Sequence, residues 1–243
     1  MVLKVLGSSS SGNCYILDNG KEALVIECGV SLSKVKDAVG YDISRIAGAL
    51  VSHEHNDHCG HVREFLSARI PVYMSGGTAS AKGVSGANIL LCLKKTDIGG
   101  FSVLPFDARH DASEPMGFLI RHEETGDILF ATDTYYLKYR FRGLSTMMIE
   151  CNYDRSILND NVSVGSLHPS VRNRIIRSHM SLGTCIDTVL ANDTSCMMRI
   201  ILIHLSSGNI DSSDAVGKVF KVSGIETFAA SPGMEIPINR TPF

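Results

Sequence analysis

Short apolar runs bounded by Gly, Ser, Asn or Asp recur along almost the whole chain, and this pattern restricts the fold more than any other feature. Runs of about four to eight apolar and β-branched residues between turn residues are typical of β-strands. The runs are VLKVL, YILD, ALVIEC, AGALVS, PVYM, FSVLPF, GFLI, ILFAT, MMIE, RIILIHL and ETFAA. We therefore expect a core that is built largely from β-sheet.

One segment between these runs has a clear helical period. In SLGTCIDTVLAND the apolar residues recur at i, i+3, i+4, i+7 and i+8, beginning at Leu182. Ser181 precedes them and is the expected N-cap. Strands dominate the early half of the sequence as hairpins, and helices interleave later. This order favours sheet packed on sheet with helices outside, rather than a doubly wound parallel sheet.

Length and composition are those of an ordinary globular protein. The 243 residues are compatible with one domain over 1–243, because layered α/β folds often run to roughly 200–250 residues undivided. The start, MVLKVLGSSS, is too quickly polar for a signal peptide, and no apolar run approaches the roughly 18 residues of a membrane span. We expect a cytosolic protein that does not enter a membrane. Its net charge of −2 gives no overall attraction for nucleic acid, so a polyanion would need a local basic patch.

Potential metal ligands are concentrated in HEHNDH, residues 53–58, directly after the run AGALVS. Imidazole is the commonest neutral metal ligand, and carboxylates are hard ligands. His53 and His55 project to the same side of an extended chain, whereas Asp57 and His58 follow a turn at Asn56. This one loop could therefore serve two metal ions.

Three later polar residues each follow an apolar run: His110 in FDARHDAS, Asp133 in LFATDT and His204 in ILIHLSSGN. A lone histidine at such a place is more often a structural residue than a ligand. Three such residues together with the HEHNDH loop reverse that expectation, because functional residues concentrate on the loops that leave a rigid scaffold.

This ordered set of motifs resembles the metallo-β-lactamase fold superfamily of binuclear metallohydrolases, over nearly the whole chain. The resemblance implies an α/β (α+β) fold, the four-layer αββα sandwich. It also implies two divalent metal ions bridged by Asp133, with further ligands His53, His55 and His110 for one ion and Asp57, His58 and His204 for the other. Zn, Mn and Fe all suit such ligands. The β-lactamases of the superfamily have a Cys ligand in the second site, so His204 in the last motif disfavours antibiotic hydrolysis.

A narrower resemblance concerns the nuclease-like members. GSSSSGNCY at residues 7–15 resembles their GSxSSGN loop, and SHMSL followed by IHLSSGN is similar to the paired His motifs of ribonuclease Z and related phosphodiesterases. In those relatives the first of the two histidines contacts the scissile phosphate, which implies this role for His179. Glu27 in VIECG replaces the usual first-motif Asp, so whether it orients the metal loop is left open.

The resemblance also implies the chemistry. Two ions roughly 3.5–4 Å apart can hold one water and lower its pKa to about 7, which gives a metal-bridging hydroxide as nucleophile. We assign Asp57, Asp133 and His179 to the catalytic set, with His179 as the candidate proton donor to the leaving oxygen. The backbone N–H groups of residues 182–184, after Ser181, are expected to be free and to favour a bound anion.

Two basic runs flank these motifs. RNRIIR contains Arg172, Arg174 and Arg177, and KYRFR contains Lys138, Arg140 and Arg142 between aromatic residues. Basic residues interleaved with aromatics suit a strand of nucleotides, although most charge runs are solvated faces. The predicted substrate-binding residues are His179, Ser181, Arg177, Arg174, Arg140 and Lys138.

We predict a metal-dependent phosphodiesterase or nuclease that acts on nucleic acid or another phosphodiester. One alternative is a thioester or lactone hydrolase of the glyoxalase II type, which the acidic net charge favours. Another is a non-catalytic metal-binding or redox scaffold, against which the complete set of ligands argues. A homodimer is one assembly that such a chain can form.

Overall fold

The computed structural model describes residues 1–240, and every predicted run forms a β-strand in it. The strands are β1 Val2–Ser9, β2 Gly12–Asp18, β3 Ala23–Ile26, β4 Ile46–Leu50, β5 Val72–Met74, β6 Asn88–Ile89, β7 Thr96–Ile98, β8 Phe101–Asp107, β9 Met116–His122, β10 Gly126–Ala131, β11 Leu144–Glu150, β12 Arg199–Ile203, β13 Glu226–Ala229 and β14 Glu235–Pro237. Strands β6, β7 and β14 were not predicted, because with only two or three residues they show no alternation.

Helices lie between many of these strands. They are α1 Leu32–Ala38, α2 Asn56–Cys59, α3 Val62–Ser67, α4 Gly76–Lys82, α5 Arg155–Ser163, α6 Pro169–Ser178, α7 Leu182–Ala191 and α8 Ser212–Ser223, and a 3₁₀ helix covers Ile43–Arg45. Within residues 1–240, none of them combines the length and the apolar character needed to cross a membrane.

The described chain is divided into two compact units. The first unit contains Met1–Asp107, Ala112–Asp127 and the residues from Ser231 onward, and the second contains Ala108–Asp111 and Ile128–Ala230. The single domain expected over residues 1–243 stays a prediction.

The first unit contains a mixed sheet with the strand order β14-β1-β2-β3-β4-β5-β6. Strands β14 to β3 pair antiparallel, as the predicted hairpins require, whereas β3 to β6 pair parallel. Parallel pairs need crossover connections, and the helices α1 to α4 provide them. The prediction that helices interleave only later is therefore wrong, because these early helices have at most seven residues and show little periodicity. The same unit contains the antiparallel strands β7, β8 and β9.

Buried strands of the first unit hold the strand end from which the HEHNDH loop, residues 53–58, departs. Strands β2 and β3 are buried along their whole length. Ile16 and Val25 on one face of the sheet belong to an apolar cluster with Val35 of α1 and Phe65 of α3. Full burial of such side chains contributes about 1.5–3 kcal/mol each. The strand ends from which residues 27–29 and 53–58 depart are thus firmly held.

The second unit is built on parallel strands. Strands β11, β12 and β13 pair parallel, and both β11 and β12 are buried throughout. Helix α7 begins as predicted, because the Ser181 side chain accepts a hydrogen bond from Thr184 N at 3.1 Å. Glu150 ends β11 and His204 directly follows β12, so both lie at the carboxyl ends of adjacent parallel strands.

In the first unit, the loop that carries HEHNDH is held against the segment that follows β3. Cys28 N donates to His58 O at 2.8 Å. Gly29 permits this close approach, because a Cβ at this position would lie 1.8 Å from Asp57 O. The position of the loop therefore depends on glycine at residue 29 as well as on hydrogen bonds.

We predict that Gly29→Ala displaces Asp57 and lowers stability. Forcing extra volume into a packed region costs about 1–3 kcal/mol, and each kcal/mol lowers Tm by roughly 2–4 °C in a domain of 150–250 residues. Gly217→Ala is the matched control, because Gly217 lies in α8 and an added Cβ would meet nothing within 4 Å. Its Tm should stay constant or rise. Equal melting temperatures for the two variants would contradict the packing argument.

Candidate metal centre

The predicted ligands of the first unit lie on the loop after β4 and on α2. His53 Nε2 lies 3.1 Å from His55 Nδ1, in accord with two extended residues on one side of the chain. The backbone then turns into α2 with His55 at the N-cap. This turn brings Asp57 Oδ2 to 3.3 Å from His58 Nε2. Within this unit the four residues form two neighbouring pairs of donor groups.

Glu27 lies against this loop, and its contacts suit the orienting role that its sequence position left open. Its side chain is fully buried, and Oε1 lies 3.5 Å from His58 Nδ1. Its Oε2 accepts a hydrogen bond from Ser52 N at 3.3 Å, and Ser52 Oγ lies 2.9 Å from His53 Nδ1. Contacts to the second ring nitrogen fix the orientation of ligand histidines. The longer Glu therefore occupies the place of the usual Asp.

Asn13, in the GSSSSGN segment, is a site residue that sequence reasoning did not single out. It is fully buried, and its Nδ2 donates to Asp57 O at 3.3 Å and lies 3.1 Å from His58 Nε2. The motif resemblance was the only signal for it. In physical terms, the segment supplies an amide that supports the metal loop.

The second unit holds a cluster of four potential ligands. Asp133, Glu150, His179 and His204 each offer an atom, and these atoms lie within 4.8 Å of one another. His204 Nδ1 is 3.0 Å from Asp133 Oδ1. His110, from the same unit, lies beside the cluster with Nε2 3.4 Å from Asp133 Oδ2. The predicted residues of this unit are therefore brought together.

Glu150, the last residue of the run MMIE, contacts both histidines of this cluster. Its carboxylate is fully buried and accepts hydrogen bonds from Thr134 N at 2.8 Å and from Met180 N at 3.2 Å. Its Oε1 lies 2.7 Å from His179 Nδ1 and 3.3 Å from His204 Nδ1. The available signal was its place at the end of an apolar run, the same signal that identified His204.

The pKa values of the two histidines beside Asp133 and Glu150 are shifted in opposite directions. His110 Nδ1 lies 2.8 Å from Ser178 O, and because a carbonyl can only accept, Nδ1 carries the proton and Nε2 keeps its lone pair. Burial lowers the pKa of His110. Burial also acts to lower the pKa of His179, but the Glu150 carboxylate outweighs it and the pKa is raised. Burial opposes ionisation of Glu150, yet the neighbouring His179 and His204 hold its pKa below the usual value.

Backbone strain coincides with these positions. Glu27, Asp133 and His204 have φ values of 71°, 45° and 54°. Non-glycine residues rarely adopt this left-handed region, and each costs of the order of 1–3 kcal/mol when the surrounding structure enforces it. Each of the three follows a buried strand, so the bend redirects its side chain. Three of the six non-glycine residues with positive φ in the described part of the chain are thus at these positions, and such strain is common at functional sites.

The donor set of the second unit fits divalent metal ions. Asp133 and Glu150 are 3% and 0% exposed, and two buried carboxylates repel each other unless cations compensate them. Imidazole and carboxylate ligands together suit Zn, Mn or Fe. The described residues thus contain a His/Asp cluster that could bind metal.

The predicted substrate-binding arginines differ in their surroundings. Arg174 and Arg177 line a cavity of about 430 Å³ together with Asp111, Ser170, Asn173 and Ser178. Arg172 instead donates to Asn159 Oδ1 at 3.2 and 2.9 Å, which ties it to α5. In the other basic run, Arg140 is exposed and Lys138 Nζ lies 4.9 Å from the centre of the Tyr139 ring.

The start of α7 offers less to an anion than predicted. Leu182 N donates to Tyr153 O at 2.9 Å, and Thr184 N donates to the Ser181 side chain at 3.1 Å. The expectation that these N–H groups are free is wrong for both residues. Both N–H groups are already bonded within the fold, one beside the β-bridge between Tyr153 and Ser181 and the other in the helix cap.

Comparison with known proteins agrees with this geometry. Residues 9–81 match the family model described as "Metallo-beta-lactamase superfamily". The chain is 27% identical to "Exodeoxyribonuclease YycJ" of Bacillus anthracis, over 96% of this chain and 92% of that protein. It is 26% identical to "Exodeoxyribonuclease WalJ" of Streptococcus pneumoniae, over 84% and 81% of the two chains. The crystal structure of the metallo-beta-lactamase fold protein YhfI from Bacillus subtilis superposes with a TM-score of 0.76 at 16% identity, covering 97% of this chain and 99% of that one.

These similarities confirm the fold class, the metallo-β-lactamase sandwich of β-sheets flanked by helices. They also confirm the prediction of a hydrolase, since the matched superfamily is one of hydrolases and the relatives are named as nucleases. The chain thus resembles the metallo-β-lactamase superfamily in sequence over residues 9–81 and has its fold over 97% of its length.

Proposed function

We propose that the protein is a binuclear metal-dependent phosphodiesterase that cleaves DNA. The relatives named exodeoxyribonucleases match it over most of both chains, which supports DNA as the substrate and a strand end as the place of attack. The observation that carries the proposal is the Glu150–His179 pair beside the buried Asp133. Such a pair provides a positioned proton donor next to carboxylates that suit a metal.

The metal ligands would be those implied by the family resemblance: His53, His55, His110, Asp57, His58, His204 and Asp133. When bound, the ions would supply a hydroxide from water at neutral pH and neutralise the charge of the phosphate. The chain's own contribution is orientation. Ser52, Glu27 and the Ser178 carbonyl each contact the second ring nitrogen of one ligand histidine.

His179 would donate the proton that the leaving oxygen needs. Nδ1 is held by Glu150 at 2.7 Å, and Nε2 makes no hydrogen bond with any described residue. The side chain is 15% exposed, so a substrate can reach it. A histidine fixed at one nitrogen and open at the other has the geometry of a general acid.

Arg174 and Arg177 would bind phosphates of the strand. Both are exposed, and neither guanidinium has a hydrogen-bond or ion-pair partner within residues 1–240. Their cavity includes Ser178, whose carbonyl holds His110 and which directly precedes His179. A basic site here would extend substrate binding away from the reacting bond. Roles for Ser181, Arg140 and Lys138 in binding, the homodimer and the cytosolic location stay predictions.

The metal assignment predicts that Asp133→Ala lowers occupancy at both metal positions, because one carboxylate would bridge the two ions. Elemental analysis of the purified protein should give about two equivalents for the parent chain. Asp187→Ala is the matched control, since Asp187 is an exposed carboxylate on α7. Full double occupancy in Asp133→Ala would defeat the assignment.

The donor role predicts a leaving-group-dependent defect in His179→Ala. The variant should keep its metal content and Tm but lose roughly 10²–10⁴ in kcat on DNA, whose leaving oxygen is basic. The loss should be much smaller on bis-p-nitrophenyl phosphate, because p-nitrophenolate departs without a proton.

A suitable control is His168→Asn, because His168 caps α6 and asparagine is also a good N-cap. It should leave both activities unchanged. A His179→Ala variant with lowered Tm and equal losses on both substrates would instead indicate a structural histidine.

The phosphate role predicts a change in salt dependence. For a single-stranded oligonucleotide, the slope of log affinity against log salt should fall by about 0.7 for each phosphate that Arg174→Gln or Arg177→Gln no longer neutralises. Arg172→Gln, on the same helix but bound to Asn159, should keep the parent slope. Turnover of the small diester by the parent should hardly respond to salt. Equal salt responses for both substrates would point to a hydrolase of small molecules.

A further inference from the structure

Two adjacent tyrosines follow the Asp133 cluster and face solvent. Tyr135 and Tyr136 are 45% and 55% exposed. Within the part of the chain that the structure describes, neither phenol makes a hydrogen bond or ring contact. Neighbouring aromatic rings that are left open in this way are enriched at binding surfaces, where rings supply contact area and their hydroxyls stay wet.

The loop that carries them, residues 132–143, contains no helix or strand but is anchored at several points. Thr134 N donates to Glu150 Oε2 at 2.8 Å, and Thr134 Oγ1 donates to Tyr136 O at 2.8 Å. Tyr135 N donates to Arg109 O at 3.2 Å, and Leu137 is only 6% exposed. The backbone that carries both tyrosines is therefore held in place, so that their rings are presented at a fixed point of the surface.

The charge of the same loop identifies the kind of ligand. Lys138, Arg140 and Arg142 follow the tyrosines and are exposed, although the whole chain has a net charge of −2. Aromatic rings beside cations bind single-stranded nucleic acid, because bases stack on the rings while phosphates meet the charges. An apolar partner surface would not need the cations, and a bare polyanion would not need the rings.

The position relative to Asp133 identifies which base would be bound. Tyr135 and Tyr136 are two and three residues from Asp133, so the chain separates them by at most roughly 7–11 Å. A strand whose phosphodiester bond is bound at the Asp133 cluster would therefore have a neighbouring base within reach of the rings. Bases of an intact duplex are already stacked and would not be available.

We propose that Tyr135 and Tyr136 form a stacking platform for an unpaired nucleobase of single-stranded DNA, next to the bond that is cleaved. This inference rests on the nuclease function proposed above and specifies its substrate as a single strand or a frayed end. The tyrosines would contribute to strand affinity, whereas His179 and the metal ligands would contribute to the reaction.

The test compares two strands that differ only in their bases. Phosphorothioate oligodeoxythymidylate, which resists hydrolysis, and a strand of equal length with abasic residues are titrated against the metal-replete protein. The chain has seven Tyr and no Trp, so tyrosine emission is not masked by tryptophan, and quenching that is lost when Tyr135 and Tyr136 are replaced reports stacking on these two rings. The parent should bind the base-bearing strand more tightly and show quenching with that strand alone.

The double variant with Tyr135→Ala and Tyr136→Ala should bind the base-bearing strand about 10- to 100-fold more weakly, the range expected when base stacking is removed. Its affinity for the abasic strand should not change. Tyr135→Phe with Tyr136→Phe should retain most of the affinity, since the rings remain. Phe220→Ala removes a 53% exposed aromatic ring from α8 in the same unit and should have no effect. Metal content and Tm verify that each variant is folded.

Two outcomes would overturn the platform. If the parent binds both strands equally, or if the alanine variant weakens both equally, no base is stacked, while the nuclease function stands. If the parent binds neither strand and does not degrade DNA but hydrolyses bis-p-nitrophenyl phosphate, the nuclease function and the platform fail together.

Discussion

The polar cluster of the second unit depends on the contacts made by the buried carboxylate of Glu150. A carboxylate removed from water costs several kcal/mol unless hydrogen bonds and opposite charge compensate it. Here two backbone N–H groups and two imidazoles surround it. Because these partners come from the segments that follow β10, α6 and β12, one group aligns three chain segments. The placement of Thr134, next to Asp133, and the raised pKa of His179 both reflect contacts with this carboxylate.

The first unit uses the same device at a different strand end. Glu27 is fully buried after β3, has a φ of 71° and lies against His58 and Ser52. Asn13 and the close approach at Gly29 hold the opposite side of the loop. In each unit, then, a glutamate at the end of a fully buried strand restrains histidines on a neighbouring loop. His179 and His204 lie outside helices and strands, where the buried Glu150 carboxylate restrains them, whereas His58 lies in α2.

This arrangement explains how far the sequence could lead. Apolar runs reveal strands because the signal lies within a few consecutive residues. The HEHNDH motif is visible because its four candidate ligands are also close together in the sequence. Glu150 and Asn13 act through interactions with residues that lie 29 and 45 positions away, and no local pattern encodes such interactions. The parallel pairing of β3 to β6 was missed because its crossover helices are too short for a helical period to emerge. The prediction of free N–H groups after Ser181 was wrong because the carbonyl of Tyr153, which is distant in sequence, accepts a hydrogen bond from Leu182 N.

The polar cluster of the second unit is largely buried, whereas most of the candidate substrate-binding residues are exposed. Glu150, Asp133 and His204 are buried and mutually bonded, so a change in any of them leaves polar groups without partners at a cost of about 1–3 kcal/mol or more. Tyr135, Tyr136 and Arg177 are exposed, and their replacement disturbs little of the fold. Substrate preference can therefore vary on the exposed loop while the buried cluster is retained. A shared fold with different activities is the expected consequence, because the buried groups determine what reaction is feasible and the exposed ones determine which molecule reaches it.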